Sequence, residues 1–167
     1  LFRRQDILQV PLPGDRDIVY AWGSLHHTGR MWEAIERTAE AVRPGGLLAL
    51  ALYNRHWTSP AWSVIKRRYN RGSGLTKKLL IGLCWPPILL AKTVLSGEWS
   101  LRMRRGMDFR HDVIDWVGGY PFEYASVAEV TAFLQERGFE LLCCRPTRYG
   151  AGNNEFLLRR SERKASR

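Results

Sequence analysis

The chain has 167 residues, 45% of them apolar and 25% charged, a balance that supports a folded domain with a real core and excludes a low-complexity class. Cys84 and the adjacent Cys143 and Cys144 lack metal-ligand spacing, and neighbours on a strand point to opposite faces, so no metal and a reducing, cytoplasmic setting are expected. The net charge of +10 is concentrated: residues 55–110 hold twelve Lys and Arg against Glu98 and Asp108, and the remainder balances.

Leu1 is an unusual first residue and no charged-then-apolar leader follows it, so a fragment of a longer chain is expected. Leu1 to Gln9 reads as the end of a strand, with Asp6-Ile7-Leu8 where it meets a loop. Asp17 to Trp22 is apolar, β-branched and bounded by Gly14 and Gly23, which predicts a strand buried on both faces. From Arg30 to Val42, the residues Met31, Ala34, Ile35, Thr38, Ala39 and Val42 recur at helical spacing. Arg43-Pro44-Gly45-Gly46 then stops that helix, and Leu47 to Tyr53 reads as a second buried strand. Strand, helix and strand in so short a span predict a right-handed βαβ unit in a parallel sheet with helices on both sides.

Residues 54–115 break this alternation with Trp57, Trp62, Trp85, Trp99 and the basic residues, and read as a largely helical insertion. Its longest apolar run, Leu79 to Ala91, has 13 residues and contains Pro86 and Pro87; a span needs about 20, so no bilayer crossing is expected. Regular pattern resumes at Ser126-Val-Ala-Glu129, a capping box opening a helix that turns Val127, Val130, Phe133 and Leu134 inward and ends at Gly138. Phe139 to Cys144 is a predicted strand, Pro146 to Asn153 a loop, and Glu155 to Arg159 a strand able to return antiparallel. Arg160 to Arg167 reads as a disordered basic tail.

The segment Asp17-Ile-Val-Tyr-Ala-Trp-Gly-Ser-Leu-His-His-Thr-Gly29, followed by a helix and then Val42-Arg-Pro-Gly-Gly-Leu-Leu-Ala-Leu-Ala-Leu-Tyr-Asn54, resembles the middle of Rossmann-like, S-adenosylmethionine-dependent methyltransferases. The likeness spans about Leu1 to Asn54 and Ser126 to Arg159. Val113-Ile-Asp-Trp-Val-Gly-Gly-Tyr-Pro-Phe-Glu123 resembles a bacterial subfamily of these enzymes. The resemblance implies an α/β fold carrying the third to seventh strands of that sheet, the last antiparallel, with the helical insertion after the fifth. It implies a partial methyltransferase domain over 1–159. The Gly-rich loop and the acidic residue that hold most of the cofactor in that family are absent, since no Gly-x-Gly-x-Gly follows a strand here.

Ligands of open α/β sheets bind beyond the carboxyl ends of parallel strands. By resemblance, Asp6 and Ile7 meet the adenine of S-adenosylmethionine, while Trp22, Gly23 and Leu25 line its methionine end. Tyr53 and Asn54 after the next strand, and Tyr149, Asn153, Asn154 and Glu155 from the last loop, are expected to face the acceptor. Methyl transfer is an in-line displacement that needs a base only when the acceptor loses a proton, and His26, His27, His111 and Glu155 are the candidate bases.

Simpler roles exist for several of these residues. Asp6 suits a strand-end turn, His26-His27 a helix entry, and His111 with Asp112 and Asp115 a solvated turn. The basic insertion suits a lid over a small-molecule acceptor, or a surface for RNA or an anionic membrane through residues 55–110. A non-catalytic basic module is the competing reading of the whole chain.

Overall fold

The computed structural model describes residues 4–10, 12–96, 109–147, 150 and 152–162. The short β-branched run forms strand β1 (Arg16–Trp22), and the 3.6-residue pattern forms helix α1 (Met31–Glu40). Strand β2 (Val42–Tyr53) is longer than expected: Arg43-Pro44-Gly45-Gly46 belongs to it rather than to a turn. The irregularity shows in the pairing instead, because Arg16 sits opposite Val42 while Ile18 sits opposite Leu47. Gly45 has φ +76°, a left-handed conformation that suits this bulge.

After the insertion come helix α5 (Val127–Gln135), strand β3 (Phe139–Arg145) and strand β4 (Asn153–Arg160). The sheet order is β1-β2-β4-β3, with β2 parallel to β1 and β4 antiparallel to both β2 and β3. β4 therefore runs back between its predecessor and β2. It takes in Arg160, the first residue of the expected tail, and 163–167 lie outside the described residues.

One face of the sheet is closed. Ala34, Ile35 and Ala39 of α1 and Val130 and Leu134 of α5 bury Leu48, Leu50 and Leu52 of β2 and Phe156 and Leu158 of β4. Burying aliphatic side chains of this size stabilises by about 1.5–3 kcal/mol each. The other face corrects the expectation of a doubly covered β1: Ile18 is 65% exposed, Tyr20 67% and Trp22 42%. An apolar strand reports the environment it is suited to, and among the described residues no helix of this unit covers that face. The predicted strand end at Leu1 to Gln9 is also corrected. Residues 7–9 form a turn, closed by hydrogen bonds from the Gln9 and Val10 amides to the Asp6 carbonyl, and 1–3 lie outside the described residues.

The chain divides into two compact units, Leu1–Ser59 with Glu123–Arg167, and Pro60–Phe122. The second is helical, with α2 (Ser59–Arg71), α3 (Gly74–Ser96) and α4 (Phe109–Gly118). Its core joins Cys84, Phe109, Val113 and Val117 with the half-buried Trp62, Trp85 and Trp116. The buried Lys66 donates to the Trp116 carbonyl, and its ammonium lies 4.3 Å from the centre of the Trp116 ring. Burial lowers its pKa to about 8.

The apolar run lies inside a longer helix than its 13 residues suggested: α3 continues for 23 residues through Pro86 and Pro87, and its stretch Gly74–Ala91 is long and apolar enough, by length and composition alone, to cross a membrane. The prolines remove the usual donors to the carbonyls of Gly82 and Leu83, and the exposed position of all four residues leaves those carbonyls open to water.

The capping box at Ser126 is complete: the Glu129 amide donates to Ser126 Oγ and the Ser126 amide to the Glu129 carboxylate. Arg55 adds two bonds to the same carboxylate, at 2.9 and 2.8 Å. The Arg55 guanidinium, aided by the Ser126 amide, lowers the Glu129 pKa to about 2. A depressed carboxylate pKa adds stability above the unfolded value and loses it as pH falls through the folded one. Glu129→Gln is therefore expected to cost about 1 kcal/mol at neutral pH, and the difference between the two proteins should close between pH 4.5 and about 2. Denaturant midpoints measured across that range check this.

Candidate active site

Three chain segments meet at the carboxyl ends of β1 and β2. β1 runs out at Trp22, and Gly23 turns the chain at φ +70°, a conformation that favours glycine. The Gly23 amide donates to the Ala51 carbonyl of β2 at 3.1 Å. A short 3-10 turn, Leu25–His27, follows and leads into α1.

His26 is fully buried in this turn, its ring centre 3.9 Å from that of Tyr53 at the end of β2. The Tyr53 amide donates to His26 Nδ1 at 3.3 Å, which in a neutral ring leaves the proton on Nε2. His27 packs edge-on against both His26 and Tyr53, with ring centres 4.4 and 5.5 Å away. Burial raises the Tyr53 pKa, so its phenol is neutral and able to donate at physiological pH. The His26 carbonyl accepts from the Glu123 amide, and the Glu123 carboxylate accepts from Met31 N at 3.0 Å, holding the first turn of α1. Glu123 was legible only as part of the phrase ending at that residue, because its role depends on a chain return across the insertion.

On the β4 side, Asn154 is buried opposite Leu52 while Asn153 sits opposite Tyr53. Asn154 Nδ2 donates to Asn54 Oδ1 at 2.9 Å, Asn154 Oδ1 accepts from Thr147 N at 3.0 Å, and Asn54 Nδ2 donates to the Gly150 carbonyl at 3.2 Å. These two amides tie the β3–β4 loop to the end of β2. Their first use is to shape the site wall.

The remaining candidates make other contacts. Asp6 Oδ1 accepts from Leu8 N at 2.9 Å, the turn use of an aspartate, and Ile7 packs against the core. Leu25 is buried. Trp22 stacks on Tyr20 at 5.3 Å on the open face of the sheet. There it lines a shallow groove of about 230 Å³ with Ala49, Cys143, Arg145, Glu155 and Leu157. Glu155 is thus on that face, opposite Arg145 in register, and not in the histidine cluster. Arg145 escaped the sequence reading because a cross-strand neighbour shows only once the register is known. His111 is in the helical unit, and Tyr149 lies outside the described residues.

The residues present suit one side of a nucleoside-bearing cofactor: the left-handed Gly23 brings backbone to the strand end, and Trp22 supplies an exposed aromatic face beside it. No Gly-x-Gly-x-Gly loop accompanies them in this chain.

A parallel pair joined by a helix, then a reversed strand inserted beside the pair, makes this a mixed α/β sheet with the strand order that the resemblance to Rossmann-like methyltransferases leads one to expect. No family model matches the chain. A stretch of 51 residues is 41% identical to the 27-O-demethylrifamycin SV methyltransferase of Amycolatopsis mediterranei (strain S699), covering 30% of this chain and 19% of that relative, so the match spans about a fifth of its length. Among solved structures, a possible exported protein from Bordetella parapertussis is 17% identical over 95% of this chain and 43% of its own, with TM-score 0.49. Human N-acetylserotonin methyltransferase in complex with SAM is 15% identical over 96% and 33%, with TM-score 0.44. A SAM-dependent methyltransferase from Methanosarcina mazei is 13% identical over 94% and 65%, with TM-score 0.47. The fold assignment rests on the strand order and register.

The asparagine clasp has a measurable consequence. Asn154→Ala removes the two bonds that Asn154 makes, to the Thr147 amide and to Asn54 Oδ1, and each such bond contributes about 1 kcal/mol. Chemical denaturation should show a loss of about 2 kcal/mol or more, whereas Asn153→Ala, at an exposed position, should fall within about 0.5 kcal/mol of the parent.

Proposed function

We propose that this chain forms part of an S-adenosylmethionine-dependent methyltransferase acting on a small-molecule acceptor, with the reaction at the carboxyl ends of β1 and β2. The observation that carries the reading is the convergence of Gly23, His26, His27 and Tyr53 at that sheet edge, beside a β4 that returns antiparallel. The 41% match to a methyltransferase over 51 residues supports the same reaction class.

In this reading Trp22, Gly23 and Leu25 hold the methionine side of the cofactor, and Asp6 and Ile7 the adenine side. When bound, the cofactor supplies a methyl group on a cationic sulfonium, open to in-line attack. His26 is a positioning residue, because its Nδ1 already accepts from Tyr53 N. His27 is the base for an acceptor that must lose a proton, and the Tyr53 phenol orients that acceptor by donating to it. Asn54 and Asn154 wall the acceptor space through the loop they fasten, and Asn153 stands opposite Tyr53 at the end of β2. His111, Tyr149 and Glu155 have no part in this reading. The pair Cys143 and Cys144, free thiols on opposite faces of β3, supports a reducing, cytoplasmic setting.

Calorimetric titration with S-adenosylmethionine and S-adenosylhomocysteine tests the proposal. Saturable binding is expected, weakened about tenfold or more by Gly23→Val, in line with the strain of a branched residue at positive φ. His27→Ala should leave cofactor affinity unchanged and lower turnover by about a hundredfold or more, the usual scale of a lost base. Absence of binding at millimolar cofactor by the whole methyltransferase of which this chain forms part would overturn the proposal.

A further inference from the structure

Helix α3 is apolar on two sides, and only one is used by the helical unit. Cys84, Trp85, Ile88 and Leu89 pack into the core with α4, while Leu75, Leu79, Leu83, Leu90 and Val94 are between 65% and 73% exposed. Their spacing places them on one side of the helix, with Pro86 and Pro87 exposed between them. The stripe runs most of the helix length, about 30 Å at the usual rise. An exposed, continuous apolar stripe of this extent is unusual for a surface helix and points to something that covers it.

The charge around the stripe selects the occupant. From Ser59 to Ser96 there are seven Lys and Arg and no Asp or Glu. Val64, Arg67, Arg68 and Arg71 on α2, with Gly72 and Thr76, line a cleft of about 400 Å³. Thr76 stands seven and fourteen residues before Leu83 and Leu90, hence on the same side of α3, so the arginine cleft opens at the head of the leucine stripe. Guanidinium groups beside a leucine stripe match a surface that is apolar just below a layer of phosphates.

We propose that the helical unit docks on an anionic lipid surface, with α3 lying in the plane of the membrane, its leucine stripe among the acyl chains and the α2 arginines on lipid phosphates. The helix lies on the bilayer and does not cross it, because its other side is packed on α4, which carries Arg110, His111, Asp112 and Asp115. This proposal is independent of the methyl-transfer reading.

Vesicle flotation of the full chain tests it, using phosphatidylcholine vesicles with and without phosphatidylglycerol. Binding to the anionic vesicles is expected to exceed that to neutral ones and to fall with salt. Leu79→Ser combined with Leu83→Ser should reduce binding roughly tenfold or more, since transfer energy scales with buried apolar area. Arg68→Gln with Arg71→Gln should remove most of the preference for anionic vesicles. All four positions are exposed, so unchanged helical circular dichroism and melting temperature separate lost docking from lost folding. No flotation with anionic vesicles at low salt would overturn the proposal. So would binding indifferent to the leucine substitutions but competed by RNA, which would mark a nucleic-acid surface. A wild-type dimer that the same substitutions convert to monomer would show the stripe to be a self-association seam.

Discussion

The antiparallel pairing of β4 with β2 is the constraint on which the rest of this structure depends. β2 is paired along both edges, with β1 on one side and β4 on the other, and its Leu48, Leu50 and Leu52 are completely buried. A strand so placed has its backbone groups satisfied internally and its side chains in the core, which makes it the stiffest element available. The register with β4 brings Asn153 and Asn154 opposite Tyr53 and Leu52, and the asparagine clasp follows from that alignment. A slip of one residue would turn Asn154 away from Asn54 and place Phe156 on the open face.

Much of this was legible in the sequence wherever one local rule governs. The strand at Ile18-Val19-Tyr20, the helix from Met31 and the capping box at Ser126 depend on periodicity and side-chain hydrogen bonding within a few residues, and all three are present. Arg43-Pro44-Gly45-Gly46 misled because a bulge inside a strand uses the same residues as a helix stop. The prolines of α3 misled for a related reason: on a solvent-exposed face the carbonyls they orphan can be hydrated, so a pair that usually ends a helix is accommodated.

The candidate site was legible as a list of strand ends and much less so as a set of partners. Gly23, His26 and Tyr53 were found because sheet topology places carboxyl ends together. That Asn54 and Asn154 would bond each other, that Glu155 would face away with Arg145, and that Glu123 would hold the start of α1 are consequences of register and of a chain return across some 60 residues. Such long-range pairings leave no local trace. They also explain a division of labour, with the sheet unit carrying a stiff, hydrogen-bonded edge suited to positioning and the helical unit carrying an exposed apolar and cationic surface suited to docking.

Amide hydrogen exchange resolved along the sheet tests the central claim most directly. The account predicts that Leu48–Leu52 of β2 and Phe156–Leu158 of β4 exchange slowest and open together, with the β1 amides, on the outer strand of the described sheet, exchanging faster. If β2 exchanged as fast as β1, or if β4 opened well before β2, the pairing of β2 with β4 would not be the element that holds the site together.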